Sequence, residues 1–453
     1  MNLLYNENTL IGRLKIYFSC YFESYTAPTA ETMFLFVLAI LALESAKSIR
    51  FLYRHFLAGI TVKSLNAFYY MCSYTKIDHN RFMNITARTA LKLIPKALET
   101  QPVFLCIDDT MVPKFGRKFE NVSTLFDHAS HNGSNYLNGH CFVSIMLCIP
   151  VWNKRKPKHR ISYLAIPLGY CMWQKKKTKL ELAASMVRQV MPEFQEKRNV
   201  IILCDSWYVK STMTALVDEY ENLDLIGNAR IDTAIYDLPP VPTGKRGRPP
   251  KRGGRLSIME DFPLSAEKMG GYYIGVRTVL TNLFGDRKVL AYVTSAEKDS
   301  QTRRLFFSTI FPMELQIFCA WQEKEPLNQT GSSWMQYIPM FLYSFRWSIE
   351  VSYYEQKEFW SLCSYMVRSR KGIEMLVNLI NIAYCAMKLL PYQDKVFSKY
   401  QNESTQEIRF AFSERIRQEV FFANLMKNTE RGKKSIWIMD SAMQWFRKQC
   451  VQI

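Results

Sequence analysis

Four side chains in the stretch YSFRWSIEVSYYEQK stand at a spacing that could do chemistry. Tyr343, Arg346, Glu350 and Lys357 are separated by three, four and seven residues. At about 100° per residue on an α-helix, they point within roughly 60° of one another. A phenol, a guanidinium and an ammonium beside a carboxylate could grip a phosphate next to a metal ligand. Two further acids end buried-looking runs: Asp109, with its neighbour Asp108, in PVFLCIDDT, and Asp205 in NVIILCDSWY. Strand-terminal aspartates on adjacent strands converge readily, and a glutamate on a helix packed against the sheet can join them. Such oxygen ligands suit Mg²⁺ or Mn²⁺, and a pair of such ions serves phosphodiester cleavage. Taken singly, each acid also reads as ordinary structure. An Asp after a strand is a turn former or helix N-cap, and Glu350 can be half of an ion pair with Arg346.

The elements that must position these residues can be read coarsely. Residues 1–98 look helical and form a candidate DNA-binding region, because LAGITVKSLNAFYYMC (57–72) is compatible with a helix-turn-helix. From 99 the texture changes. Apolar runs ending at Asp109, at 140–152, at 161–173 and at 199–208 read as strands, with a helix over KLELAASMVRQVMPEF. Three strands, a helix and a further strand open an α/β layer architecture, in which chemistry sits at strand ends. Residues 99–225 are the first part of that core, and 226–300 are a β-rich insertion with a basic loop. Residues 301–395 complete the core with the Glu350 helix, and 396–453 form a helical C-terminal region.

The chain has 453 residues, enough for a sizeable core, with 48% hydrophobic and 22% charged residues. Its 59 Lys and Arg against 40 Asp and Glu give +19, which favours a polyanionic partner. The 11 cysteines include no C-x-x-C pair and no Cys/His cluster at zinc spacing, so they read as reduced thiols. The longest apolar run, MFLFVLAILAL at 33–43, is too short to span a bilayer and reads as a buried helix. A soluble cytoplasmic protein with no membrane partner is the expectation.

Jointly, the acids and the signature resemble the DDE transposases with an RNase H-like catalytic core. More narrowly, they resemble the insertion-sequence group with the signature Y-x2-R-x3-E-x6-K. Tyr343, Arg346, Glu350 and Lys357 match that spacing, and Trp347 supplies the common R-W pair. The resemblance covers residues 99–395. It implies cut-and-paste transposition in a bacterial cytosol, at the nucleoid, with two Mg²⁺ or Mn²⁺ ions on Asp109, Asp205 and Glu350. It also implies a homodimer on DNA that engages element ends and target. The group's pattern places the catalytic acid directly before Thr, favouring Asp109, with Asp108 as the alternative. The rival readings are a catalytically inactive or repurposed DNA-binding protein, and a nuclease of the same fold that cuts without joining.

Further residues point towards DNA. The run KRGRPPKRGGR (245–255) resembles an AT-hook core, making Arg246 and Arg248 candidate minor-groove contacts, although such composition also suits a solvated linker. Trp347 is either a base-stacking platform or core packing. Lys114 and Arg117 are placed for phosphate contacts. His128, His131 and His140 show no metal spacing.

Overall fold

A computed structural model describes residues 5–116, 118–126, 135–153, 160–195, 198–241, 248–312 and 334–431. Arg117, His128, His131, Arg246 and the tail beyond 431 lie outside them. Five helices come first: α1 (Leu10–Phe22), α2 (Ala27–Ala42), α3 (Ile49–His55), α4 (Leu65–Tyr74) and α5 (His79–Leu91). The apolar run at 33–43 falls in α2, which starts with Pro28 in its first turn and buries every residue from Thr32 to Ala42. A helix apolar on all sides needs protein all round it.

The strands follow: β1 (Val103–Pro113), β2 (Ser123–Phe126), β3 (Tyr136–Asn153) and β4 (Arg160–Met172). Helix α6 (Lys179–Val190) is started by a reciprocal capping box between Thr178 and Glu181. Next are β5 (Val200–Cys204), two short turns α7 (Ser211–Thr214) and α8 (Leu216–Glu219), and β6 (Leu223–Ala229). The stretch 211–223 is thus two short turns and a connection, not one continuous helix.

The core of the sheet runs β4-β3-β1-β5-β6. β3 is antiparallel to β1 and β4, whereas β5 and β6 run parallel to β1. The insertion does not stand apart. β7 (Ile235–Tyr236), β8 (Tyr273–Thr281), β9 (Val289–Ser295) and β10 (Arg304–Ser308) prolong the same sheet beyond β6 in the order β10-β9-β8-β7. The β8–β9 hairpin turns through Asn282–Phe284 and Gly285, whose φ of 62° favours glycine. Pairing β10 with β6 covers an edge that would otherwise offer unpaired backbone groups.

The signature segment is not one continuous α-helix. α9 (Ile338–Tyr343) tightens into a 3₁₀ turn over Ser344–Arg346 before α10 (Trp347–Phe359) begins. α11 (Arg370–Gln393) and α12 (Thr405–Arg431) are the last helices of the described residues. α11 is long and apolar enough to cross a membrane by composition, yet 94% of its most apolar window is buried inside the protein, the setting of a core helix. It packs on β4, where Asn378 exchanges hydrogen bonds with the backbone of Tyr170.

Candidate active site

Register decides which acid of the IDDT pair meets Asp205. In the parallel β1–β5 ladder Ile107 pairs with Cys204, so the next step sets Asp108 beside Asp205. Successive strand side chains face opposite sides of a sheet. The side shared by Phe104, Cys106 and Asp108 is the one covered by the signature segment. Phe345 stacks on Phe104 with ring centroids 5.0 Å apart, and its carbonyl accepts from the Cys106 thiol at 3.6 Å.

Asp109 points the other way, to α6. Its Oδ2 accepts from Lys179 Nζ at 2.7 Å and from the Cys141 thiol at 3.2 Å, and its Oδ1 accepts from Tyr208 O–H at 3.0 Å. The structure therefore divides the two aspartates. Asp108 lies on the side of Asp205 and the signature segment, whereas Asp109 has three donors of its own, though its charge also raises the Asp205 carboxyl. Lys179, Tyr208 and Cys141 carry no sequence signal, because their contacts join residues 70, 99 and 32 positions apart.

Arg346 is the hub of the Asp108 side. Its Nη1 lies 3.3 Å from Asp108 Oδ2 and its Nη2 lies 2.5 Å from Glu350 Oε1. The 3₁₀ turn brings residues three apart almost into line, and the guanidinium sits 5.9 Å from the Tyr343 ring centroid. Burial works against the charge of Arg346, but Tyr343, Glu350 and Asp108 outweigh it and hold it firmly protonated. Lys357 is half-buried two turns further along α10, about 10 Å from Glu350 at 1.5 Å per residue. Trp347 is 61% exposed, which removes the core-packing reading.

The carboxylates are electrostatically frustrated. Burial, the neighbouring Asp205 and Asp109 push the Asp108 carboxyl up to about 7, against the opposing pull of Arg346. Burial also raises Asp205, whose Oδ1 accepts from Trp207 N–H at 3.0 Å and so closes the turn after β5. Two hard carboxylates crowded in a partly buried pocket are a donor set that a divalent cation would relieve, so these residues fit such an ion. Among the described residues, no three Asp, Glu, His or Cys side chains converge into a complete metal cluster. Glu350 is held on Arg346 instead.

A stability measurement checks the strain. The folded protein retains the Asp108 proton that the unfolded chain loses above its ordinary value of 3.8. The stability contributed by this group is full below that value and is lost as pH rises through about 7. Metal-free Asp108→Asn should therefore exceed the wild type by about 1–3 kcal/mol above roughly pH 8, with the advantage vanishing below about pH 4. Thermal unfolding across that range reads it directly.

Lys114 and His140 are both engaged inside the protein. Lys114 is not available to a phosphate: it is 7% exposed, and Nζ donates to the carbonyls of Cys363 at 2.6 Å and Tyr365 at 3.0 Å. His140 is buried on β3, with Nδ1 2.7 Å from Tyr365 Oη. Of the basic loop, Arg248 is exposed. Its C-terminal half is pinned rather than free, with Gly253 N–H bonded to the Asp237 carbonyl and Arg252 over the Tyr236 ring at 5.2 Å.

A five-strand core of this order and sense, with acids at the ends of its central strands, defines an RNase H-like DDE domain. The family model of the DDE superfamily endonucleases matches residues 20–270, more than half of the chain, and the chain belongs to that family. The match spans Asp108, Asp109 and Asp205 and stops short of the Glu350 segment. A comparison with curated proteins found no match.

Proposed function

We propose that the protein is a transposase of the Y-R-E-K group, which cuts DNA at the ends of a mobile element and joins those ends to target DNA. The observation that carries this reading is that Asp108 and Asp205 lie one step beyond the Ile107–Cys204 pair, under a segment that supplies Tyr343, Arg346, Glu350 and Lys357. Asp108, Asp205 and Glu350 are the acids of this reading, with Asp108 in the place that the group's pattern gave to Asp109. When bound, Mg²⁺ or Mn²⁺ ions at these carboxylates supply Lewis-acid stabilisation and an activated oxygen nucleophile.

The chain's own groups do the rest. Arg346 presents a planar fork, Lys357 a point charge and Tyr343 a hydroxyl to the phosphates beside the scissile bond. Lys179 and the exposed Trp207, 5.6 Å from Nζ to ring centroid, flank the acids from the α6 side. Trp347 offers a π face to an unpaired base. Arg248, with Arg246, extends the DNA contact along the insertion. Water attack on an end phosphodiester leaves a 3′-OH, and that hydroxyl attacks a target phosphodiester in a second in-line displacement. Residues 5–98 and 396–431 flank this core as helical regions, and two copies hold two ends.

A joining assay tests the proposal. Uncut and pre-cleaved element ends, each incubated with Mg²⁺ and supercoiled plasmid, should both yield plasmid covalently linked to the end. Cleavage without any joined product would instead assign a nuclease, and binding without cleavage a repurposed DNA-binding protein.

A further inference from the structure

We propose that Arg346 is a latch between DNA and metal, on the reading that Asp108, Asp205 and Glu350 are the metal ligands. In the DNA-free protein its guanidinium occupies the carboxylates that a divalent ion needs. A DNA phosphate that takes the guanidinium releases them.

The geometry separates this contact from an ordinary helical ion pair. An exposed i,i+4 pair contributes little and opens freely. Arg346 has a side chain only 14% exposed, and besides Glu350 on its own segment it reaches Asp108 on β1, 238 residues away in sequence. It thereby ties one proposed ligand to another. Asp108 Oδ2 and Glu350 Oε1 face a cation already, so a divalent ion at the same oxygens must displace it. Two cations packed against one partly buried pair of acids repel strongly.

The displaced side chain has somewhere to go. Arg346 lies in a 3₁₀ turn between two α-helices, a kind of local irregularity that often marks a hinge. Next to it, Trp347 is exposed, so the outward direction leads to the surface on which DNA would lie. A planar guanidinium binds phosphate as well as it binds carboxylate. If DNA draws Arg346 away, then by linkage DNA and metal must strengthen each other's binding by the same factor. The free enzyme would load metal poorly and be spared indiscriminate cutting.

The test reads metal binding, not cleavage. Mn²⁺ is titrated into DNA-free protein by calorimetry for the wild type, Arg346→Gln, Arg346→Lys, Asp108→Asn and Glu350→Gln. Thermal unfolding checks that each variant is folded. Arg346→Gln should bind Mn²⁺ roughly tenfold or more tightly than the wild type, within the range of ordinary allosteric coupling, and Arg346→Lys should stay near the wild type. Adding a short DNA duplex, with bound Mn²⁺ read by quenching of tryptophan fluorescence, should tighten binding for the wild type and not for Arg346→Gln. Unchanged Mn²⁺ affinity in Arg346→Gln, with binding lost in Asp108→Asn and Glu350→Gln, would overturn the latch alone. Wild-type affinity in Asp108→Asn and Glu350→Gln would overturn the ligand assignment beneath it.

Discussion

Changing Asp108 to Asn should abolish Mg²⁺-dependent DNA cleavage, with a fall on the order of 10³-fold or more, while DNA binding survives. Asp205→Asn should do the same. The contrast that matters is with the neighbouring position. Asp109→Asn keeps the acid pair but weakens the contacts to Lys179 and Tyr208 that fix this end of β1. Groups that orient ligands without being ligands typically cost about ten- to a hundredfold, and that is the loss expected there. Single-turnover cleavage of one labelled DNA end by the three variants, beside a binding titration, measures the difference. Equal losses at 108 and 109 would mean that the strand parity does not govern the chemistry.

The second large effect concerns stability. Arg409, on α12, is 2% exposed, and its guanidinium lies 4.4 Å from the Trp360 ring centroid. It donates to the carbonyls of Ile40 at 2.9 Å and Leu43 at 2.5 Å, and to that of Phe359. One side chain thus satisfies the C-terminal carbonyls of α2 and of the Glu350-bearing α10, which have no partners within their own helices. Burial lowers the Arg409 guanidinium to about 10, so its charge is costly and is kept by these contacts. Arg409→Ala would orphan three carbonyls, that of Ile40 buried and the others partly so, and open a cavity against Trp360. A loss of about 3–5 kcal/mol is expected, measured by denaturant unfolding. A variant as stable as the wild type would show that the N-terminal helices and α10 are not held through this residue.

Much of the fold was legible because its strands are fully buried. VIILC at β5 and the apolar run of β1 can only be interior strands, and the acids that end them mark where loops begin. The α2 run was legible for the same reason: a helix apolar on every side belongs inside. The 3₁₀ break at Ser344–Arg346 was not, since nothing in YSFRW disfavours an α-helix and the tightening is imposed by packing of Phe345 on Phe104 and Tyr163. The merging of the insertion with the main sheet depends on β10 pairing with β6 across about 75 residues, which no local pattern encodes.

The site was legible in kind more than in identity. Spacing picked out Tyr343, Arg346 and Glu350, and the structure brings these three together. The group's pattern favoured Asp109 over Asp108, yet adjacent strand residues differ only in which face they take. Which face each takes is set by the register with Cys204, nearly one hundred residues on. Lys114 misled for a related reason. A lysine in a charged loop looks solvated, yet the carbonyls of Cys363 and Tyr365 arrive from the far end of the chain to bury it.

The most direct measurement is an anomalous difference map from a Mn²⁺-soaked crystal of the protein bound to a DNA end. Mn²⁺ between the carboxylates of Asp108 and Asp205, with Glu350 freed from Arg346 and turned towards it, is the predicted result. Mn²⁺ on the Asp109–Lys179 side of the sheet, or bound away from all these acids, would contradict it.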